Sequence, residues 1–257
     1  MVFLHKKLTD RLMELVEGPV RLLFPEVCQV CGNLAAVPSD GYVCVECLRC
    51  ISSIQFPFCE RCGLPFEGEI QHGFQCQNCH DLRLFFVYAR SACAANSLML
   101  DLLHRYKYGN ARWLDALFER LLGDAVSNSA TGKDWDCVIP VPLYPVRQRE
   151  RGYNQSDILA QSVGERLQIP CFSTVVKRIA HTPSQTMLNR NERAANVAKA
   201  FEVIDSEKII KRRILIIDDV LTTGATANEC SRVCLRAGAC SVHVWTLARG
   251  LGVIGGT

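Results

Sequence analysis

The run Arg213 to Thr226, RILIIDDVLTTGAT, combines residue types that together suggest chemistry. Ile214, Leu215, Ile216 and Ile217 make a buried strand, and Asp218 and Asp219 are expected to end it. Thr222, Thr223, Gly224, Ala225 and Thr226 then turn into a helix whose apolar face is Cys230, Val233, Cys234 and Ala237. A loop of small and hydroxyl residues at a helix N-terminus offers successive backbone N–H groups and the positive end of the helix dipole, which suit a phosphate monoester. The adjacent carboxylates can accept hydrogen bonds from a vicinal diol, and without such a purpose two charges at the end of a buried strand would be costly. Phosphate and diol side by side describe a ribose 5-phosphate.

Cysteine supplies a second chemistry. Of 15 cysteines, nine fall between residues 28 and 79, and eight of these form the pairs Cys28/Cys31, Cys44/Cys47, Cys59/Cys62 and Cys76/Cys79. A Cys-x-x-Cys turn points two sulfurs at one ion, and a hairpin of about a dozen residues brings back a second pair to complete a tetrahedron. Eight thiolates suffice for two structural zinc ions. Gly32 and Gly63 each follow a second cysteine, where a tight turn calls for glycine. Sequential pairing is the expected arrangement. Spacing leaves a crossed one open, and Cys50, His72 or His80 can stand in for one ligand. The segment has too few large apolar side chains for a core of its own, whereas ligation contributes on the order of 10–16 kcal/mol per site. Redox chemistry fits less well, since four such motifs in series do not resemble a thioredoxin-like site. Phe56, Phe58, Phe66 and Phe74 are interleaved with the pairs, either as packing or as platforms for bases.

The elements that must position these groups follow from periodicity. Leu8, Leu12, Leu15 and Val16 predict an amphipathic N-terminal helix. Domains are expected at 1–24 (this helix), 25–81 (double zinc ribbon) and 82–257 (an α/β domain). Within the last, Leu98, Leu102 and Leu103 mark one helix and Trp113 to Leu122 another, with YKYGN as a break carrying Lys107, a solvated lysine or a phosphate contact. Strands are expected at 137–141, 173–176, 213–217 and 241–247, and helices at 155–167 and 226–237. Such alternation predicts βαβ units, hence a parallel sheet with helices on both faces and ligands at the carboxyl ends of its strands.

Composition narrows the class. The 257 residues are 49% hydrophobic and 21% charged, which excludes a disordered or collagen-like chain. A net charge of +3 is too mild to identify a nucleic-acid binder. No stretch approaches 18 uninterrupted apolar residues, so no membrane span is expected, and the N-terminus makes a poor signal peptide. The expectation is a cytoplasmic protein whose cysteines hold metal rather than form disulfides.

The ILIIDDVLTTGAT run resembles the signature of the type I phosphoribosyltransferases, which bind 5-phosphoribosyl-1-pyrophosphate. Two further segments, IPVPLYPVRQRERGYNQSDILA (139–160) and KRIAHTPSQTMLNRNERAANVAKAF (177–201), together with the cysteine pairs, resemble the competence-associated ComF family, which carries a zinc-ribbon region ahead of a phosphoribosyltransferase-like domain. The resemblance implies that Asp218 and Asp219 hold the ribose hydroxyls and that Thr222, Thr223, Gly224, Ala225 and Thr226 hold the 5-phosphate. Arg147, Arg149 and Arg151 are expected on a loop after a strand, with Arg147, Arg151 and Gly152 facing the pyrophosphate. Lys177, Arg178, Gln185, Arg190 and Arg193 fall in the segment that forms a hood in related enzymes. Mg2+ would accompany the sugar pyrophosphate, and displacement at ribose C1 would pass through an oxocarbenium-like state. No residue identifies a catalytic acid or base, and His104, His181 and His243 read as structural or exposed. Three classes of function stay open: a phosphoribosyltransferase of unidentified acceptor, a protein of DNA uptake or utilisation touching single-stranded DNA or the uptake machinery, and a ligand sensor that binds without turnover.

Overall fold

The computed structural model describes residues 26–33, 35–66, 68, 73–80, 83–129, 134–180 and 198–251. The expected N-terminal helix, His72 and His181 lie outside them. The chain divides into two compact units, Met1–Cys50 and Ile51–Thr257, so each cysteine tetrad belongs to a different unit.

In the first unit a bridge between Val27 and Ala35 closes a tight turn in which Gly32 N–H donates to the Cys28 carbonyl at 2.8 Å. Gly32 has φ of 72°. Helix α1 (Val45–Arg49) starts at Cys44 and carries the second pair. The core is minimal: Cys28, Ala36 and Cys44, with Val30, Tyr42 and Cys47 against them.

The second unit opens with a ribbon of the same plan. Phe58 bridges Pro65, Gly63 N–H donates to the Cys59 carbonyl at 2.9 Å, and the short helix α2 (Gln77–His80) brings Cys79 back. The remainder is built on strands β1 (Ala89–Ala94), β2 (Cys137–Pro140), β5 (Arg213–Leu221) and β6 (Ser241–Arg249), with a two-stranded antiparallel ribbon of β3 (Val176–Arg178) and β4 (Phe201–Val203). The four-stranded sheet is parallel, in the order β1-β6-β5-β2.

Ile214, Leu215, Ile216 and Ile217 are all buried, as strands covered on both faces require. Alternate residues Ile214, Ile216, Val242 and Val244 pack with Ala227, Cys230 and Cys234 of helix α7 (Ala225–Arg236). Helices α4 (Asp115–Ser129) and α6 (Gln155–Leu167) pack on each other. The first also contacts β1 and β6, and the second contacts β2 and β5. Helix α3 (Ser97–Tyr108) is capped by Asn96, which accepts from Met99 N–H.

Several boundaries differ from expectation. The strand foreseen at 173–176 is β3 at Val176–Arg178, because Val176 to Arg178 find partners in Val203 to Phe201 while Cys171 makes a lone bridge to Val138. The YKY of the foreseen break lies inside α3, which ends only at Gly109. Among the described residues, no helix is long and apolar enough to cross a membrane.

The outer edge of β1 is covered. Ile54 N–H donates to the Ala92 carbonyl, Ala94 N–H to Ser52, and Ala89 N–H to the ribbon's Arg61 carbonyl, at 2.7–3.1 Å. An open edge invites pairing with other chains, and the lead-in to the second ribbon removes that hazard. Gly63 lies at this seam with φ of 64°, and a Cβ there would sit 2.8 Å from the Ala89 carbonyl oxygen. Gly63→Ala is therefore expected to cost about 2–4 kcal/mol, the sum of left-handed strain and overpacking, read as a lower urea midpoint.

Candidate functional site

The acids come first, because the strand that carries them was expected to stop at them. It continues to Leu221, with Asp218 beside Thr246 and Leu221 beside Arg249. Strand β2 ends at Pro140, opposite Ile217, so the acids project past the end of one neighbour while the other supports them. Asp218 Oδ1 accepts from Ser156 Oγ at 2.8 Å and from the Asp219 N–H at 2.9 Å. Burial, and next the charge of Asp219, push the Asp218 carboxyl up to about 7, against the opposing pull of Ser156 and Lys107. Asp219 is 9% exposed and its Oδ2 lies 2.7 Å from Lys107 Nζ. Lys107 is thus a partly buried counter-charge in the last turn of α3.

Ser156 was not foreseen. It is the second residue of α6, whose N-cap Asn154 accepts from Ser156 N–H at 3.3 Å and donates from Nδ2 to the Val141 carbonyl at 3.1 Å. Tyr153 donates its hydroxyl proton to the Tyr106 carbonyl. The polar run Tyr153 to Ser156 therefore fastens α6 to α3 and to the end of β2, and it delivers Ser156 to the acid pair.

After Leu221 the chain makes the expected loop. Gly224, at φ of 78°, is the N-cap of α7 and has no side chain to cap it, while Thr223 Oγ1 accepts from the Ala225 N–H at 3.4 Å. Asp218, Thr222, Thr223, Gly224, Ala225 and Thr226 line one recess, which brings the acid and the loop together as the sequence predicts.

The arginines sit differently from expectation. Residues Pro145–Arg151 form helix α5, not a loop, because Pro145 opens it and Gly152, at φ of 80°, ends it in the left-handed region. Arg147 and Arg151 line a cleft of about 220 Å³ with Lys107, Tyr108, Asn110 and Glu150. Arg151 Nη1 donates to Gln155 Oε1 at 2.7 Å, and its guanidinium lies over the Tyr108 ring. Arg149 and Gly152 line another concavity with Pro145 and Gln148. Lys107 thus belongs both to the arginine cleft and to the acid pair.

Of the hood residues, Lys177 is exposed on β3. Arg178 stacks over Phe201; burial, and next the Arg147 charge, lower its pKa, while the charge of Asp218 acts the other way. Gln185, Arg190 and Arg193 lie outside the described residues. His243 is a structural residue of β6, held between the rings of Tyr88 and Trp135, and burial lowers its pKa.

The cysteines group sequentially, as expected: Cys28, Cys31, Cys44 and Cys47 form one tetrad and Cys59, Cys62, Cys76 and Cys79 the other, each with all sulfurs within 4.8 Å of one another. Neighbouring sulfurs are 3.6–3.8 Å apart. A tetrahedron with metal–sulfur bonds of about 2.3 Å has edges of about 3.8 Å, so the geometry fits zinc. Burial raises the Cys28 thiol, but backbone N–H groups of Cys44, Cys31 and Val30 bring it down to about 6. Hydrogen bonds from Cys62 and Cys79 hold Cys59 far below the ordinary thiol range. Both effects favour the thiolate at these two positions, while burial raises the Cys47 and Cys76 thiols and the hydrogen bond with Cys59 raises that of Cys79. Cys50 stands outside the tetrads, with its Sγ on the Glu46 carbonyl at 3.5 Å. Phe58 packs beneath the Arg90 guanidinium and Phe66 packs on Phe74, while Phe56 is 62% exposed.

A family model described as a double zinc ribbon domain matches residues 20–83. Competence protein F of Haemophilus influenzae is 35% identical over 85% of this chain and 94% of its own length. DNA utilization protein YhgH of Escherichia coli K12 is 31% identical over 90% of this chain and all of its own. Competence protein ComFC of Streptococcus pneumoniae is 29% identical over 82% of this chain and 89% of its own. A solved hypoxanthine phosphoribosyltransferase of Staphylococcus aureus aligns with 56% of this chain and 69% of its own at 13% identity and a TM-score of 0.31, a likeness that adds no weight. The structure has the expected α/β class, a parallel sheet packed with helices and, ahead of it in sequence, a cysteine-rich zinc-ribbon region. With identity above 30% over most of its length, the chain belongs to the family of competence protein F.

Proposed function

We propose that the α/β domain binds 5-phosphoribosyl-1-pyrophosphate with Mg2+ and that the protein acts in DNA uptake or utilisation, as the names of its relatives indicate for them. One observation carries the ligand: the carboxylate pair, the N-terminus of α7 and a cleft with two arginines adjoin one another, Lys107 linking the acids to the cleft. Asp218 and Asp219 take the ribose hydroxyls, the Thr222–Thr226 loop takes the 5-phosphate, and Arg147 and Arg151 face the pyrophosphate. The oxygen donors of the acid pair suit a hard cation, and bound Mg2+ would neutralise charge on the leaving pyrophosphate. Ser156 holds Asp218 in one rotamer, so the diol meets a preset acceptor.

This division of labour makes a test. Replacing Arg147 and Arg151 together by alanine is expected to weaken 5-phosphoribosyl-1-pyrophosphate by about 10- to 100-fold and ribose 5-phosphate by less than about threefold, since charge-assisted pairs to the pyrophosphate are lost and those to the 5-phosphate are not. Equal losses for both ligands, measured by titration calorimetry, would remove the arginines from the pyrophosphate site.

A further inference from the structure

Strand β6 ends on Arg249, which is 5% exposed. Among the described residues, none of the ion pairs includes it, and its donors go to backbone carbonyls and one sulfur. Nη1 donates to the carbonyls of Leu221 at 2.8 Å, Thr222 at 2.7 Å and Gly250 at 2.6 Å. Nε donates to the Cys62 carbonyl at 3.1 Å, and Nη2 lies 3.6 Å from Cys62 Sγ. One buried cation thus joins the two residues that enter the phosphate loop to a ligand of the second cysteine tetrad.

A guanidinium cannot shed its proton in a protein, so burying it demands a compensating negative charge. The tetrad supplies one: four thiolates around a divalent ion carry 4 × (−1) + 2 = −2. A trans peptide places its C=O and the following N–H on opposite edges. Carbonyls of Leu221 and Thr222 drawn onto Arg249 therefore turn the N–H groups of Thr222 and Thr223 away from the guanidinium, and both threonines line the recess.

We propose that the second metal tetrad controls the sugar-phosphate loop through Arg249. With the ion in place, the guanidinium has its counter-charge and holds the loop in its anion-binding form. When the ion leaves, the four thiolates take up protons from solvent and become neutral thiols, so the buried guanidinium loses that partner and the loop opens. Metal occupancy and ligand affinity are then linked, and the linkage runs both ways. This rests on the loop being the sugar-phosphate site.

The test uses the full chain with Cys31→Ser, which leaves one complete tetrad, the second. Amide hydrogen exchange is read on a peptide spanning Leu221–Thr226 and on one spanning Ile214–Ile217, before and after chelation. On chelation, exchange of the loop is expected to rise by about tenfold or more beyond any rise in the strand core, which follows only the lowered global stability, the pattern of local opening. Before chelation, Cys31→Ser is expected to match the wild type. In a second arm, saturating 5-phosphoribosyl-1-pyrophosphate is expected to slow zinc release from the second tetrad by about threefold or more, an effect absent in Arg249→Met and in Arg249→Lys, whose point charge cannot reproduce the fork. An unchanged loop on chelation, or a rise shared equally by the strand core, would overturn the proposal. So would a slowing of zinc release that survives in Arg249→Met. If the sugar pyrophosphate binds no form of the protein, the ligand assignment fails, while the exchange arm still decides the coupling.

Discussion

Asp218→Asn is expected to stabilise the ligand-free protein above neutral pH and to weaken its affinity for 5-phosphoribosyl-1-pyrophosphate by about tenfold or more. The Asp218 carboxyl is raised from 3.8 to about 7 in the folded chain, first by burial and then by Asp219. A group whose folded pKa is raised holds its proton in the folded state over a range where the unfolded state has released it. Its contribution to stability is complete below about 4, and it is lost as pH rises through about 7. At pH 8 the wild type carries two adjacent carboxylates with one nearby lysine, whereas Asp218→Asn carries a neutral amide that still accepts from Ser156. The melting temperature of Asp218→Asn is expected to exceed that of the wild type by several degrees at about pH 8 and to match it at about pH 4, since partial solvent access holds the gain to at most a few kcal/mol. An equal or lower melting temperature at pH 8 would mean that Asp218 carries no such cost. The exchange of stability for ionised acceptors is what a binding site for a diol requires.

Zinc removal is expected to have the largest effect on the fold. The wild type should contain two zinc ions per chain, Cys59→Ser one, and Cys50→Ser still two, because Cys50 lies outside both tetrads. Cys59→Ser should lower the melting temperature of the second unit by more than about 10 °C, since ligation at a structural site contributes as much as the stability of a whole domain. Heating should then lead to aggregation, because the segment leading into the second ribbon covers the β1 edge through Ser52, Ile54 and Arg61. Zinc content and a thermal melt followed by light scattering check this together. A Cys59→Ser protein that retains two ions or melts with the wild type would contradict the tetrad assignment.

Much of this was legible in the sequence, for identifiable reasons. Helix α6 lies where its apolar spacing placed it, at Gln155–Leu167, because a cap residue, Asn154, precedes it. The cysteine pairs close in sequence order because each hairpin is just long enough to return to its own turn. Pro145 and Gly152 bracket helix α5, yet its arginines were expected on a loop after a strand, Arg147 and Arg151 facing the pyrophosphate. The acids fall within a strand that favours neither, and only pairing with Thr246, Ala248 and Arg249 of β6 carries that strand on to Leu221. Ser156, Lys107 and Arg249 matter through partners far away in sequence, Asp218, Asp219 and the pair Cys62 and Thr222. No local pattern marks such residues. Asn154 caps α6, and Gln155 accepts from Arg151.

The most direct measurement is isothermal titration of the zinc-loaded protein with 5-phosphoribosyl-1-pyrophosphate and Mg2+, beside the double variant Asp218→Asn/Asp219→Asn. Micromolar binding by the wild type, reduced by about 100-fold or more in the variant through loss of charge-assisted hydrogen bonds to the diol and its cation, is the predicted result. A folded wild type that takes up no heat with this ligand, or a double variant that binds as the wild type does, would contradict the account at its centre.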